Sequence, residues 1–388
     1  MALSLSLPQN RAYRIAVSTF FFIAGLNFAT WASRIPDIKL KLHLTDAGFG
    51  TVLFALPVGL MTSLPISGWL VSKYGSRQMA ILAAIIYPGI LTLLGLANTS
   101  WQLAGILFIF GVFGNLLNIS INTQAVGVES LYGRSVMASF HGVWSVAGFT
   151  GAFVGTLLIS LGFTPFMHFG VVCVASALTA LAMYKYMLPQ DVNKSSQRIF
   201  AKPDAALLKL GLMAFCCMIS EGTMFDWSGI YFQKVVQVPK ELTTLGYVAF
   251  MSTMAGGRFT GDWLANRISK KRMLQSSGIV IAAGLLTAVL FPKIITATIG
   301  FLLVGMGVSS VVPLVYGEAG KSKTMSPGVA LAAVSSIGFL GFLIGPPMIG
   351  FISAAFNLRW SFTLIAILGF CTTLLAGKVK MTNKSRVS

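Results

Sequence analysis

Apolar runs of about 20 residues recur from one end of this sequence to the other. They lie at about 15–33, 47–71, 79–97, 101–128, 136–161, 165–187, 207–231, 245–264, 274–291, 294–317, 328–355 and 358–377. Each is long enough to cross a bilayer core of about 30 Å, and none alternates with the period of two that a strand requires. In lipid a backbone must satisfy its own N–H and C=O groups, so runs of this length fold as helices. The sequence therefore predicts an all-α integral membrane protein with twelve transmembrane helices. Composition agrees, since only 10% of the residues are charged and the mean hydropathy is +0.81.

A net charge of +18 would suit nucleic acid in a soluble protein. Its distribution argues otherwise. With both termini placed in the cytoplasm, 20 of the 28 lysines and arginines fall on the cytoplasmic side and 7 on the outer side, with Arg258 inside the eighth run. That is the positive-inside pattern, so the expected partner is a lipid bilayer and not nucleic acid, with both termini on the cytoplasmic side. Cys173, Cys216, Cys217 and Cys371 all lie in apolar runs. None has metal-ligand spacing, so neither a metal, a cofactor nor a disulfide framework is expected. The first run, from Ile15, is too long for a signal peptide and is expected to remain as a helix.

The chain repeats itself at about half its length. Ser145-x-x-Gly148-x-x-Gly151-x-x-x-Gly155 in the fifth run returns as Ser335-x-x-Gly338-x-x-Gly341-x-x-x-Gly345 in the eleventh, 190 residues later. Small residues so spaced let helix backbones approach closely in lipid. The loop Gly68 to Arg77 is echoed by Leu264 to Lys271, and Glu129 with Arg134 by Glu318 with Lys323. The expected organisation is two pseudo-symmetric six-helix bundles, 1–187 and 207–388, joined by a cytoplasmic linker over 188–206. Duplicated halves are an architecture of secondary transporters.

These motifs resemble a known family. Gly68-Trp-Leu70-Val-Ser72-Lys73-Tyr-Gly75-Ser-Arg77 is similar to the signature that follows helix two in the major facilitator superfamily, departing from it at the usual aspartate, which is Ser72 here and Asn266 in the second copy. Asn122-Thr-Gln124-Ala-Val-Gly-Val-Glu129, His141-Gly-Val-Trp144-Ser145, the stretch Glu221 to Tyr231, and Gly345-Pro-Pro-x-x-Gly350 resemble a bacterial branch close to fucose permease-like and rhizopine-transport-like proteins. The resemblance implies transport by alternating access. Fucose permease-like carriers use carboxylates in helices one and four. This chain has none in its first run and only Glu129, at the cytoplasmic end, in its fourth.

Acids inside a bilayer are costly and mark function. Glu221 lies roughly 21 Å along the seventh run, just past mid-membrane at 1.5 Å per residue. Asp226 falls nearer the outer interface, beside Trp227. Both are candidates for proton coupling, Glu221 the stronger, because it is the one acid at that depth. Asn27 with Trp31 in the first run, Asn115, Asn118 and Asn122 in the fourth, and His141 with Trp144 in the fifth are candidates for binding solute, together with Glu221 and Trp227. Amides donate and accept, which suits a neutral polyhydroxy molecule. The competing reading of the asparagines is hydrogen bonding between helices.

A third set of charges sits at cytoplasmic loop ends: Lys73, Arg77, Glu129, Arg134, Arg267 and Glu318, with Arg258 and Asp262 four apart on one helix. These are expected to form a cytoplasmic gate. No nucleophile motif or phosphate loop is present, which argues against a membrane enzyme, and duplicated halves argue against a receptor. The reading is a monomeric carrier of a small polar organic solute, such as a sugar, cyclitol or amino-sugar, moved with protons. Efflux of an amphipathic or cationic compound is the alternative.

Overall fold

The computed structural model describes residues 9–132, 136–191, 204–322, 324–325 and 327–379, and leaves out the side chains at 138, 261–263, 265, 266, 327 and 328. Among the described residues the fold is helical throughout. Contacts divide the chain into two compact units, residues 1–43 with 55–195, and residues 44–54 with 196–388.

The first unit holds α1 (Gln9–Ser33), the short α2 (Ile35–Lys41), α4 (Ala55–Tyr74), α5 (Ser76–Leu96), α6 (Ser100–Tyr132), α7 (Met137–Ser160) and α8 (Pro165–Tyr184). The second holds α3 (Asp46–Leu53), α9 (Ala205–Tyr231), α10 (Leu245–Arg267), α11 (Lys270–Leu290), α12 (Ile294–Ala319), α13 (Pro327–Ala355) and α14 (Leu358–Gly377). Taking α3 and α4 as one span, eleven spans are long and apolar enough to cross a membrane among the described residues. The remaining long helix, α10, stands where the eighth span is expected.

Each unit pairs its helices in the same pattern. In the first, α1 packs on α7, α4 on α6, and α5 on both α6 and α8. In the second, α9 packs on α13, α10 on α12, and α11 on both α12 and α14. The repeated glycine motif accounts for the first of these pairings. A Cβ at Gly151 would come within 2.8 Å of Ala29 and 3.0 Å of the Leu26 carbonyl on α1, and one at Gly341 within 2.7 Å of the Phe215 carbonyl on α9. Helices this close gain dispersion contacts that lipid cannot replace.

The second span is less regular than its hydropathy suggests. It breaks at Phe54 into α3 and α4. Pro57 lacks the N–H that would bond the Leu53 carbonyl, so the ladder is interrupted there. Helix α3 begins on a Thr45 cap, whose hydroxyl accepts from the Gly48 N–H at 3.1 Å. It packs on α13, where a Cβ on Gly50 would meet the Pro346 carbonyl at 2.6 Å and one on Gly350 would meet the Asp46 carbonyl at 2.5 Å. The expected linker is described only in part. Leu188 exchanges backbone bonds with the Gln124 side chain, and Asp191 accepts from the Ser76 N–H at 2.9 Å at the start of α5.

Candidate functional site

In the second unit, α9 carries Glu221 into a buried position, with 5% of its surface exposed. An Nη of Arg258, on α10, donates to its Oε1 at 3.3 Å. The local sequence offered Arg258 a partner four residues away in Asp262, whose side chain lies outside the described set. Arg258 thus joins the mid-helix acid of α9. Cys217, one turn back on α9, and Tyr316 of α12 lie within electrostatic range of the pair. Gly222 follows Glu221 and keeps α9 close to Phe342, 2.8 Å from where a Cβ would stand.

Asp226 is half-buried on the same helix and forms no hydrogen bond or ion pair among the described residues. Glu221 and Asp226 are therefore not brought together as one acidic site; five residues separate them by about 140° around a helix. Trp227 is fully buried, edge-on to Phe49 of α3 with centroids 5.9 Å apart, and its indole N–H has no partner.

In the first unit the predicted solute residues divide by exposure. Asn27 is buried and its Nδ2 donates to the Ile23 carbonyl at 2.8 Å and to Ser176 of α8 at 2.9 Å, leaving Oδ1 without a partner. Trp31, one turn on, is also fully buried with its indole N–H unpartnered. Asn115 is buried against α4, donating to Ser63 at 3.1 Å and Ser67 at 3.2 Å. It joins two helices as a polar tie. Asn118 is exposed and Asn122 half-buried, and the Asn122 amide donates to both the Asn118 carbonyl and its side-chain oxygen, at 2.8 and 2.9 Å. On α7, exposed His141 meets Phe21 edge-on at 5.4 Å, and half-buried Trp144 lies 6.1 Å from Phe28. Of the predicted solute residues in this unit, the accessible ones are thus Asn118, Asn122, His141 and Trp144.

Four of the loop-end charges have partners among the described residues. Glu129 accepts from the backbone N–H groups of Val136 and Met137 at 2.7 and 2.9 Å. Arg77 donates to the Tyr184 carbonyl and lies over that tyrosine's ring, and Lys73 lies over the rings of Trp69 and Tyr74. Glu318 accepts from Lys270 at 2.6 Å and Lys321 at 3.1 Å. Arg267 is exposed; Arg134 and the Asp262 side chain lie outside the described residues.

Two clusters escaped the sequence reading. Arg34, between α1 and α2, is 1% exposed and donates to His168 Nδ1 at 3.1 Å, Asp37 at 2.8 Å and the Phe163 carbonyl at 2.9 Å. Asp46, the first residue of α3, accepts from Lys234 and from Ser353 of α13, both at 2.6 Å. Neither has a signature in sequence, because the partners lie 129 or more residues apart except for Asp37. A charged residue flanking an apolar run was the available hint.

Comparison with known proteins bears on what such a molecule does. Residues 17–323 match the family described as the Major Facilitator Superfamily. The chain is 33% identical over 367 residues to an uncharacterized MFS-type transporter of Yersinia pestis, covering 95% of this chain and 94% of that one. It is 31% identical over 367 residues to the membrane protein MosC of Rhizobium meliloti, covering 93% and 89%. Among solved structures it is similar to a D-xylose-proton symporter, with TM-score 0.76 and 12% identity over 96% of this chain and 98% of that one. It is also similar to a bacterial homolog of the human lysosomal transporter Spinster, with TM-score 0.74 and 15% identity over 96% and 97%.

Proposed function

Since this chain belongs to the major facilitator superfamily, and so is a transporter rather than an enzyme, we propose that it moves a small polar organic solute, such as a sugar, cyclitol or amino-sugar, by alternating access coupled to protons. The observation that carries this reading is the pair formed by buried Glu221 on α9 and half-buried Arg258 on α10. The carboxylate of Glu221 and the guanidinium of Arg258 lie 3.3 Å apart. A proton taken up by Glu221 from one side neutralises the acid and frees the Arg258 donor that faced it for another acceptor. A hydroxyl or ring oxygen of the solute fills that place, so proton uptake and solute binding favour each other through one shared group. Opening to the other side lets the solute leave, Arg258 returns, and the proton departs.

In this reading the first bundle, 1–187, offers Asn118, Asn122, His141 and Trp144 to the solute, while Asn27, Trp31 and Asn115 fix the helices that present them. The second bundle, 207–388, offers Glu221 with Arg258, and Trp227 frames α9. Asp226 is a secondary proton site. Lys73, Arg77, Glu129, Arg134, Arg267 and Glu318 serve the cytoplasmic gate, and the protein works as a monomer in a bacterial inner membrane with both termini in the cytoplasm. A second reading uses the same groups: a cationic cargo takes the place of Arg258 on Glu221 and is expelled as protons enter.

The test is transport in proteoliposomes. Glu221→Gln is expected to abolish accumulation driven by a pH gradient while retaining exchange of solute across the membrane. Wild-type uptake indifferent to the gradient, together with an unaffected variant, overturns the coupling. Net movement of cargo against proton entry selects the efflux reading.

A further inference from the structure

Away from these groups, the first unit holds a cavity of about 650 Å³ beside the N-terminal half of α1. Its walls change character along the helix. Arg11 and Arg14 stand at one end, three residues apart and hence neighbours on one helix face. Ser18 and Thr19 follow one turn on, and Phe22 one turn beyond, with Ile15 and with Val143 of α7 completing an apolar wall. From Arg11 to Phe22 the helix rises about 16 Å. The cavity therefore runs from cationic through hydroxylated to apolar.

The cationic end is held in place. The Arg14 guanidinium donates to Ser139 at 3.2 Å and sits 5.4 Å over the ring of Tyr132, which itself lines the cavity. The Tyr132 hydroxyl in turn donates to the Asn10 carbonyl at 3.4 Å. A guanidinium has five donors, and this anchoring occupies few of them. Among the described residues no carboxylate forms an ion pair with Arg11 or Arg14, in contrast to Arg34 and Arg258. One anchored fork, Arg14, with the exposed Arg11 beside it and no acidic partner for either among the described residues, suits a phosphate or carboxylate bound through charge-assisted hydrogen bonds. The volume lies within the range of small-molecule sites.

We propose that this cavity is a binding site for an amphipathic anion, its phosphate or carboxylate held by Arg11 and Arg14 and its apolar part lying against Ile15, Phe22 and Val143. This site is separate from the Glu221–Arg258 pair and does not rest on the transport reading. The chemistry is shared by a single-chain anionic lipid of the bilayer and a soluble organic anion with an apolar tail.

Binding to the purified full-length protein in a neutral detergent, followed by native mass spectrometry and by thermal unfolding, tests it. The probes are lysophosphatidylglycerol, lysophosphatidylcholine, octyl phosphate and glycerol 1-phosphate. Lysophosphatidylglycerol and octyl phosphate are expected to bind and to raise the melting temperature, and the other two are not. A lead by the lipid over octyl phosphate points to the bilayer as the source, and the reverse to a soluble anion. Arg11→Gln with Arg14→Gln is expected to weaken binding by about tenfold or more, through loss of the charge-assisted bonds, while Arg272→Gln on the second unit leaves it unchanged. Ser18→Trp, which fills the cavity and keeps both arginines, is expected to abolish binding. Equal binding of the double arginine variant, retention by Ser18→Trp, or equally tight binding of glycerol 1-phosphate overturns the proposal.

Discussion

Glu221 shows how far a single residue can be read without a structure. Its depth follows from helix rise alone, and a buried acid in a membrane span already demands an explanation. Its partner was not legible. Arg258 lies 37 positions away on another helix, and Asp262 offered a nearer match four residues along the same one. Asn115 teaches the same lesson, since its two serine partners on α4 are set by packing that no local spacing records. The pair also makes a stability prediction. Removing Arg258 strands the buried Glu221 carboxylate, at a cost of up to about 3–5 kcal/mol, whereas removing both is far less damaging. Arg258→Gln alone is therefore expected to lower thermal stability in detergent markedly, and Glu221→Gln with Arg258→Gln to recover most of it. The double variant should still fail to accumulate solute against a pH gradient. A double variant no more stable than Arg258→Gln would mean that the two charges do not support each other.

At the level of elements, the long helices were legible because lipid enforces both their length and their hydrogen bonding. The break in the second span was not, because hydropathy runs unbroken across Phe54. Its cause is one missing N–H at Pro57, and its consequence is that α3 clusters with residues near 350 rather than with its own continuation. Four contacts hold it there: Asp46 to Lys234, Asp46 to Ser353, Gly50 against Gly350, and Phe49 against Trp227. They differ in weight. The Lys234 side chain is 44% exposed, so Asp46→Asn is expected to cost about 1 kcal/mol or less, as exposed ion pairs do. Gly350→Val drives methyl groups into the Asp46 carbonyl, and such overpacking costs about 1–3 kcal/mol. A cysteine in place of Phe49, which is 0% exposed, reports the difference. Its maleimide labelling is expected to be slow in the parent and in Asp46→Asn and fast in Gly350→Val. Equal rates in all three would show that glycine contact does not seat α3.

For the whole molecule, the duplication was legible because three motifs return at nearly constant offset, and both units do pair their helices alike. The cargo was not legible, since amides, an imidazole and an indole suit many polar solutes. Orientation is a different kind of property, set by the summed position of charges rather than by any contact. Translocation resists short loops rich in lysine and arginine. With 20 of 28 such residues on one side, the termini and the Gln190 region are expected in the cytoplasm and the Asn98 turn outside. The four native cysteines all lie within helices, so they can be replaced to give a background free of loop thiols. In that background Asn98→Cys is expected to react with an impermeant maleimide on intact cells, and Gln190→Cys only after permeabilisation. The reverse pattern would invert the molecule in the bilayer. Charge placement would then have to be decided by the first helix alone, where Arg11 and Arg14 precede the apolar run and Arg34, Lys39 and Lys41 follow it. Neutralising Arg34, Lys39 and Lys41 together separates these accounts. It leaves the orientation unchanged if the whole chain sets it, and it flips the chain if those three outer charges hold the first helix in the inverted sense.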